Sequence, residues 1–96
     1  MITSKTRAKL RRIASGELAV CQIGKEGLTP MVLDSITKAL TKRELIKINV
    51  LQNCDEDIKA LMTELCETLD CEPIGMLGRK IIIYKLNPDN KKHVLD

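Results

Sequence analysis

The chain has 96 residues, 44% of them hydrophobic and 30% charged, and carries a formal net charge of +3. That is material for one domain and one apolar core, and it contains no apolar run near the about eighteen residues a membrane-crossing helix needs. Met1 to Lys5 leads straight into charged residues without the apolar stretch of an export signal, so a cytoplasmic location is expected.

Thr3 or Ser4 opens a helical pattern that runs to Ser15, and Gly16 stands where helices commonly end. Leu10, Ile13 and Ala14 fall at i, i+3 and i+4 and make its apolar face. Lys5, Lys9 and Arg12 form a basic stripe on the opposite side, while Arg7 and Arg11 flank the core on another edge. Like charges one turn apart repel, so the stripe costs the helix some intrinsic stability, a conflict typical of functional surfaces.

Leu18 to Ile23 is apolar and partly β-branched, as strands are. Gly24-Lys25-Glu26-Gly27 follows as a Gly-x-x-Gly loop, and Thr29-Pro30 starts a helix with a capping hydroxyl and a proline at the first helical position. Free N–H groups and the positive dipole end of that helix face the loop, Lys25 adds a full charge, and glycines let another backbone approach. A phosphodiester backbone suits that arrangement. The same pattern also serves connectors that bind nothing, and Glu26 opposes an anion, so the remainder of the chain has to decide.

The second helix runs from Pro30 to about Lys42, with Val32, Leu33, Ile36, Ala39 and Leu40 inward and Lys38 and Lys42 on one solvent stripe. Glu44 to Leu51 alternates apolar and polar, a strand burying Ile46, Ile48 and Val50 and leaving Lys47 outward. Asn53 or Asp55 is expected to cap a third helix that buries Ile58, Leu61, Met62, Leu65, Cys66 and Leu69 and shows Asp57, Glu64 and Glu67 to solvent. Glu72 to Leu77 and Lys80 to Leu86 read as strands around a Gly78-Arg79 turn. Residues 87–96 read as a solvated tail to a domain of residues 1–86. The order is α-β-α-β-α-β-β, an α/β fold with a four-stranded mixed sheet covered by helices. Its two β-α-β units favour parallel neighbours and the hairpin an antiparallel strand.

Charge is segregated along this order. Residues 1–50 hold ten Lys/Arg against four Asp/Glu, residues 51–72 one against seven, and residues 73–96 five against two. A basic face for a polyanion, with the acidic helix turned away, is the functional reading of that asymmetry. With no Trp, no Phe and only Tyr84, base-stacking modules of the RRM or OB type are disfavoured, and RNA would be held through backbone and charge. Tyr84 in an apolar strand is better read as core than as a stacking platform. Cys21, Cys54, Cys66 and Cys71 contain no closely spaced pair and come with one histidine, His93, so neither a metal site nor any other cofactor is expected and the thiols should be free.

Three motifs occur in the order and spacing of the CRM domain, the chloroplast RNA splicing and ribosome maturation domain: Gly24-Lys25-Glu26-Gly27-Leu28-Thr29, Glu44-Leu45-Ile46-Lys47-Ile48, and Gly78-Arg79-Lys80 with Ile83-Tyr84-Lys85. Over roughly residues 2–86 the chain closely resembles the bacterial stand-alone, YhbY-like members. The resemblance implies a fold similar to the C-terminal domain of translation initiation factor three, RNA binding, and association with precursors of the large ribosomal subunit. It implies RNA contacts at Gly24, Lys25 and Gly27. The adjacent basic surface adds Lys5, Lys9, Arg12, Lys38, Lys42 and Lys47, and Arg79 and Lys85 of the third motif complete the candidate set. Asn49 stands where the family often has a basic residue, and Lys85 where arginine is usual, which keeps the charge but loses the bidentate fork.

Two other readings compete. A KH domain clamps nucleic acid with a Gly-x-x-Gly loop, but between two helices, whereas Leu18–Ile23 reads as a strand. The acidic helix could instead make the chain a protein-interaction module without direct RNA contact. An enzyme is not expected, because the chain offers no acid–base or nucleophile–base constellation and no small-molecule substrate is indicated. A monomer that binds RNA and no membrane is the resulting expectation.

Overall fold

A computed structural model describes residues 2–96; Met1, the first residue of the expected domain, lies outside the described residues. Helix α1 spans Ser4–Ser15, capped by the Thr3 hydroxyl, which accepts from Thr6 N, and closed at Gly16. Strand β1 is Cys21–Ile23, helix α2 Pro30–Arg43, strand β2 Leu45–Val50, helix α3 Ile58–Leu69, and strands β3 and β4 are Glu72–Leu77 and Lys80–Tyr84. The expected order of elements is the observed one. Thr29 caps α2 by accepting from Val32 N, with Pro30 at the first helical position.

The sheet order is β1-β2-β4-β3. β1 pairs parallel with β2, and β4 lies antiparallel between β2 and β3. The second crossover therefore does not bring parallel strands side by side; the hairpin folds β4 into the gap. Both faces of the sheet are covered. Under α2 and α3 lies a core that includes Ile23, Ile36, Ile48, Leu65 and Ile83. Under α1 lies a separate cluster of Leu10, Ala14, Leu45, Ile74, Ile82 and Tyr84. Ile48 and Leu65, both expected inward, are buried in the first core, while Ile82, also expected inward, is buried in the second, so the sheet carries two cores rather than one.

The covered second face explains several departures. β2 buries Leu45 and Lys47 as well as Ile46, Ile48 and Val50, because α1 closes the side that alternation assigned to solvent. β1 is shorter than Leu18–Ile23: Leu18 is 85% exposed as the chain leaves α1, and strand pairing begins at Cys21. The cap of α3 is Asp57, accepting from Ala60 N, since residues 51–56 are occupied by a turn closed by Cys54 N donating to Leu51 O. Glu44 caps the end of α2 with a positive φ of 67° and does not belong to the strand.

The C-terminal segment is docked. Glu44 is buried, and its carboxylate accepts from Asn87 N (3.0 Å), Val94 N (2.9 Å) and the His93 ring Nδ1 (2.6 Å). Asn87 and Asn90 donate to Thr41 O at the end of α2, and Val94 and Leu95 pack on the cluster under α1. Only part of the expected solvated tail is solvent-facing, Pro88, Asp89, Lys91 and Lys92 among them.

Candidate nucleic-acid interface

Three connectors meet at one end of the sheet. Leu51 N donates to Ile23 O (2.8 Å) and Val50 N to Arg79 O (2.8 Å), which brings the Gly24–Gly27 loop, residues 51–56 and the Gly78-Arg79 turn together. The Arg79 guanidinium binds three backbone carbonyls, with Nε on Val50 O and Nη2 on Leu51 O and Cys54 O. Such multidentate bonding uses the donors of a planar fork. Arg79 thus positions the 51–56 connector beside the glycine loop, and its charge is spent inside the protein.

The two glycines of the loop differ. Gly24 has room for a side chain: a Cβ there would lie 3.6 Å from Leu51 Cδ1, an ordinary contact. Gly27 is buried with φ +70°, and a Cβ on it would come within 2.6 Å of a Glu56 carboxylate oxygen. Glycine at 27 is demanded by the turn and by Glu56, not by an approaching partner. The acidic segment is therefore not wholly turned away from the loop, since Glu56 lies against it. Lys25, at the tip, is exposed.

On α1, Lys5, Lys9 and Arg12 are exposed, and among the described residues none has a carboxylate within 4 Å. Lys9 Nζ reaches Leu95 O at 3.3 Å. The other two cations of the helix face β3: Arg7 Nε donates to Pro73 O (3.1 Å) while its Nη2 lies 3.9 Å from Glu72 Oε2, and Arg11 Nη2 donates to Ile74 O (3.1 Å). They cover an edge strand whose backbone groups would otherwise invite another chain.

The remaining candidates lie elsewhere. Lys38 pairs with Asp34 at 3.0 Å on α2, and Lys42 is exposed on the same helix, across the sheet from the α1 stripe. The basic residues therefore do not form the single plane that the sequence suggested. Lys47 is buried at 5% exposure with Nζ on Glu17 O (3.0 Å), which ties the exit of α1 to β2 and withdraws the charge from solvent. Lys85 Nζ donates to Leu69 O (2.8 Å) and so caps the end of α3. Tyr84 is 5% exposed inside the α1 cluster, and burial, with Glu44 nearby, raises its phenol.

Among the described residues no group of His, Cys, Asp and Glu is placed to hold a metal ion, and the cysteines are free thiols. Cys66 and Cys71 lie 3.5 Å apart; that contact, together with burial, pushes the Cys66 thiol up, while the same contact, aided by Lys85 and against the effect of burial, holds Cys71 down. Sequence reasoning missed Arg11 with its neighbours on β3, because nothing local in the pattern of β3 says which helix covers it.

Comparison with known proteins places this chain. The model of the CRS1/YhbY (CRM) domain matches residues 2–85, and the chain belongs to that family. It is 35% identical over 92 residues to the Bacillus subtilis protein YqeI, covering 96% of both chains. It is 27% identical over 93 residues to PA4753 of Pseudomonas aeruginosa, covering 97% of this chain and 89% of that one. Both carry the name "Probable RNA-binding protein". The solution structure of SAV1595 from Staphylococcus aureus superimposes with a TM-score of 0.82 at 37% identity, over 95% of each chain. The Gly-x-x-Gly loop joins a strand to a helix here, unlike the two-helix setting of a KH loop.

Proposed function

We propose that this CRM-domain chain binds RNA and acts without catalysis as an assembly factor on ribosomal RNA in precursors of the large subunit. The observation that carries the RNA reading is the row Lys5, Lys9 and Arg12 on α1, three exposed cations with no carboxylate partner among the described residues. A row of uncompensated charge at helical spacing costs the fold intrinsic stability, and a phosphate backbone supplies the missing counter-charge. The names of the Bacillus and Pseudomonas relatives support the same partner. Lys25 extends the surface at the loop end, and Gly24 leaves room beside it.

Association with large-subunit precursors rests on the family resemblance and is tested by sedimentation. At low salt the protein should co-migrate with the precursor of the large subunit, and a position only at the top of the gradient would refute the ribosomal part. Direct RNA binding is tested by its salt dependence. Each phosphate contact to a single strand contributes a slope of about −0.7 in log affinity against log salt, so a flat response would refute a phosphate-dominated interface.

A further inference from the structure

Between the C-terminal half of α1 and the β3–β4 hairpin runs a groove of roughly 350 Å³, near the lower end of ligand-sized sites, about 300–1,000 Å³. Ala8, Arg11, Arg12 and Ser15 line its helix side, and Met76, Leu77 and Ile82 its strand side. Ile82 is buried, while Leu77 is 60% exposed. Position 75, paired with Ile82 in the register, is a glycine. A Cβ there would sit 3.1 Å from Arg11 Nε, so the missing side chain is what lets the Arg11 stem cross the strand. The guanidinium is then fixed by its bond to Ile74 O. No carboxylate lines the groove, and Arg12 stands exposed at its rim without an acidic partner among the described residues.

We infer that this groove holds one unpaired nucleotide of a bound RNA strand, with its base between the Arg11 guanidinium and the apolar floor and its phosphate on Arg12. The inference rests on the RNA reading above and deepens it. A nucleotide joins a flat, largely apolar face to a full negative charge, and the groove joins an apolar floor to a cationic rim. A guanidinium plane stacks on a base much as an aromatic ring does, which supplies what a chain with one buried Tyr otherwise lacks. The Ser15 hydroxyl already donates to Arg12 O, so the groove has little to read base edges with, and it accepts any base. The strand bound there is single-stranded, since a paired base cannot enter.

The experiment compares two polyanions on three proteins. Affinity is measured for single-stranded oligouridylate RNA and for inorganic polyphosphate of equal charge, using the unaltered chain, Leu77→Ala and Ala8→Leu. The first variant removes an exposed wall, the second fills the groove from an exposed helix position, and thermal unfolding checks that both fold. Each should lower RNA affinity about tenfold, the loss of one stacked base, and leave polyphosphate binding unchanged. Unchanged RNA affinity in both folded variants would overturn the groove and leave the RNA reading standing. Equal losses for both polyanions would also overturn it, because charge alone would then explain binding. Self-association of the unaltered chain that Leu77→Ala abolishes would make the groove a contact between copies instead. Failure of the unaltered chain to bind any RNA would overturn the RNA reading and the groove with it.

Discussion

The core under α2 and α3 draws on both helices and on Ile46, Ile48 and Val50 of β2, whereas the buried members of the cluster under α1 are, among the described residues, Leu10, Ala14, Leu45, Ile74, Ile82 and Tyr84. The charges differ in the same sense. On the first face Lys38 is paired with Asp34, and α3 is acidic; on the second, Lys5, Lys9 and Arg12 have no carboxylate partner among the described residues. One side of the sheet thus carries most of the hydrophobic burial that stabilises the fold, and the other carries a thin layer with an exposed cationic surface. A functional surface that costs stability is best tolerated where the opposite face supplies it.

The largest test of this division is a pair of core truncations. Leu65→Ala, on the heavy face, should cost about 2–5 kcal/mol, read from the denaturation midpoint. Leu10→Ala should cost toward the lower end of that range, because a single helix over a small cluster can shift to close part of the cavity. Leu10→Ala, and not Leu65→Ala at temperatures where both stay folded, should weaken RNA binding. A reversed pattern would mean that the α1 face is the stabilising one.

The glycine loop gives the next effect. Gly27→Ala places a side chain at φ +70° and against Glu56, so it should destabilise by about 1–2 kcal/mol from the backbone alone. Gly24→Ala should be close to neutral for folding, since its Cβ meets only ordinary contacts. Substituting both glycines at once would therefore confuse a folding defect with a binding defect, and Gly24→Asp is the cleaner probe: the folded variant should lose part of its RNA affinity through charge. Full affinity in Gly24→Asp would reduce the loop to a connector.

Smaller again is the effect of the exposed cations. Lys9→Ala with Arg12→Ala should leave the melting temperature almost unchanged and reduce the salt slope by about 1.4, two phosphate contacts to a single strand. Lys38→Ala with Lys42→Ala should change neither by as much. Equal losses from both pairs would restore a surface that wraps around the sheet and would blur the distinction between its faces.

What the sequence revealed was what is local. Thr3, Gly16, Thr29 and Pro30 mark helix ends by chemistry within one turn, and the inward faces of α2 and α3 follow from periodicity. What it concealed depends on distant partners. Lys47 reads as outward only if one face of β2 meets water, and nothing near it reveals that α1 lies on that face. A signal was present: Ile81-Ile82-Ile83-Tyr84 is an unbroken apolar run, the mark of a strand covered on both sides and hence central in the sheet. It would have placed β4 between β2 and β3. Of the candidate site, Lys5, Lys9, Arg12, Lys25 and Lys42 are exposed as expected, while Arg79, Lys47 and Lys85 proved to bond backbone carbonyls across long sequence separations.

The smallest predicted effect concerns the tail, which seals the edge of the thin face. Glu44 would be raised by its burial, but the His93 hydrogen bond and the N–H groups of Asn87 and Val94 outweigh that and hold it below its ordinary value of 4.5. The bond to Glu44 raises His93 above its ordinary value of 6.5, with Asp96 helping. The lowered carboxyl stabilises docking above pH 4.5, and its contribution is lost as pH falls through the folded value. The raised imidazole stabilises docking below pH 6.5, and its contribution is lost as pH rises through the folded value. Both contributions are complete only between those two limits. The difference in melting temperature between the unaltered chain and His93→Asn should therefore be largest between pH 4.5 and 6.5 and shrink on either side. It should not vanish on the alkaline side, because a neutral imidazole can still donate from Nδ1 to the carboxylate. Since Val94 and Leu95 rest on the α1 cluster, loosening the tail should also raise amide exchange in α1 more than in α3. Equal protection losses in the two helices would show that the tail braces the whole molecule and both faces of its sheet alike.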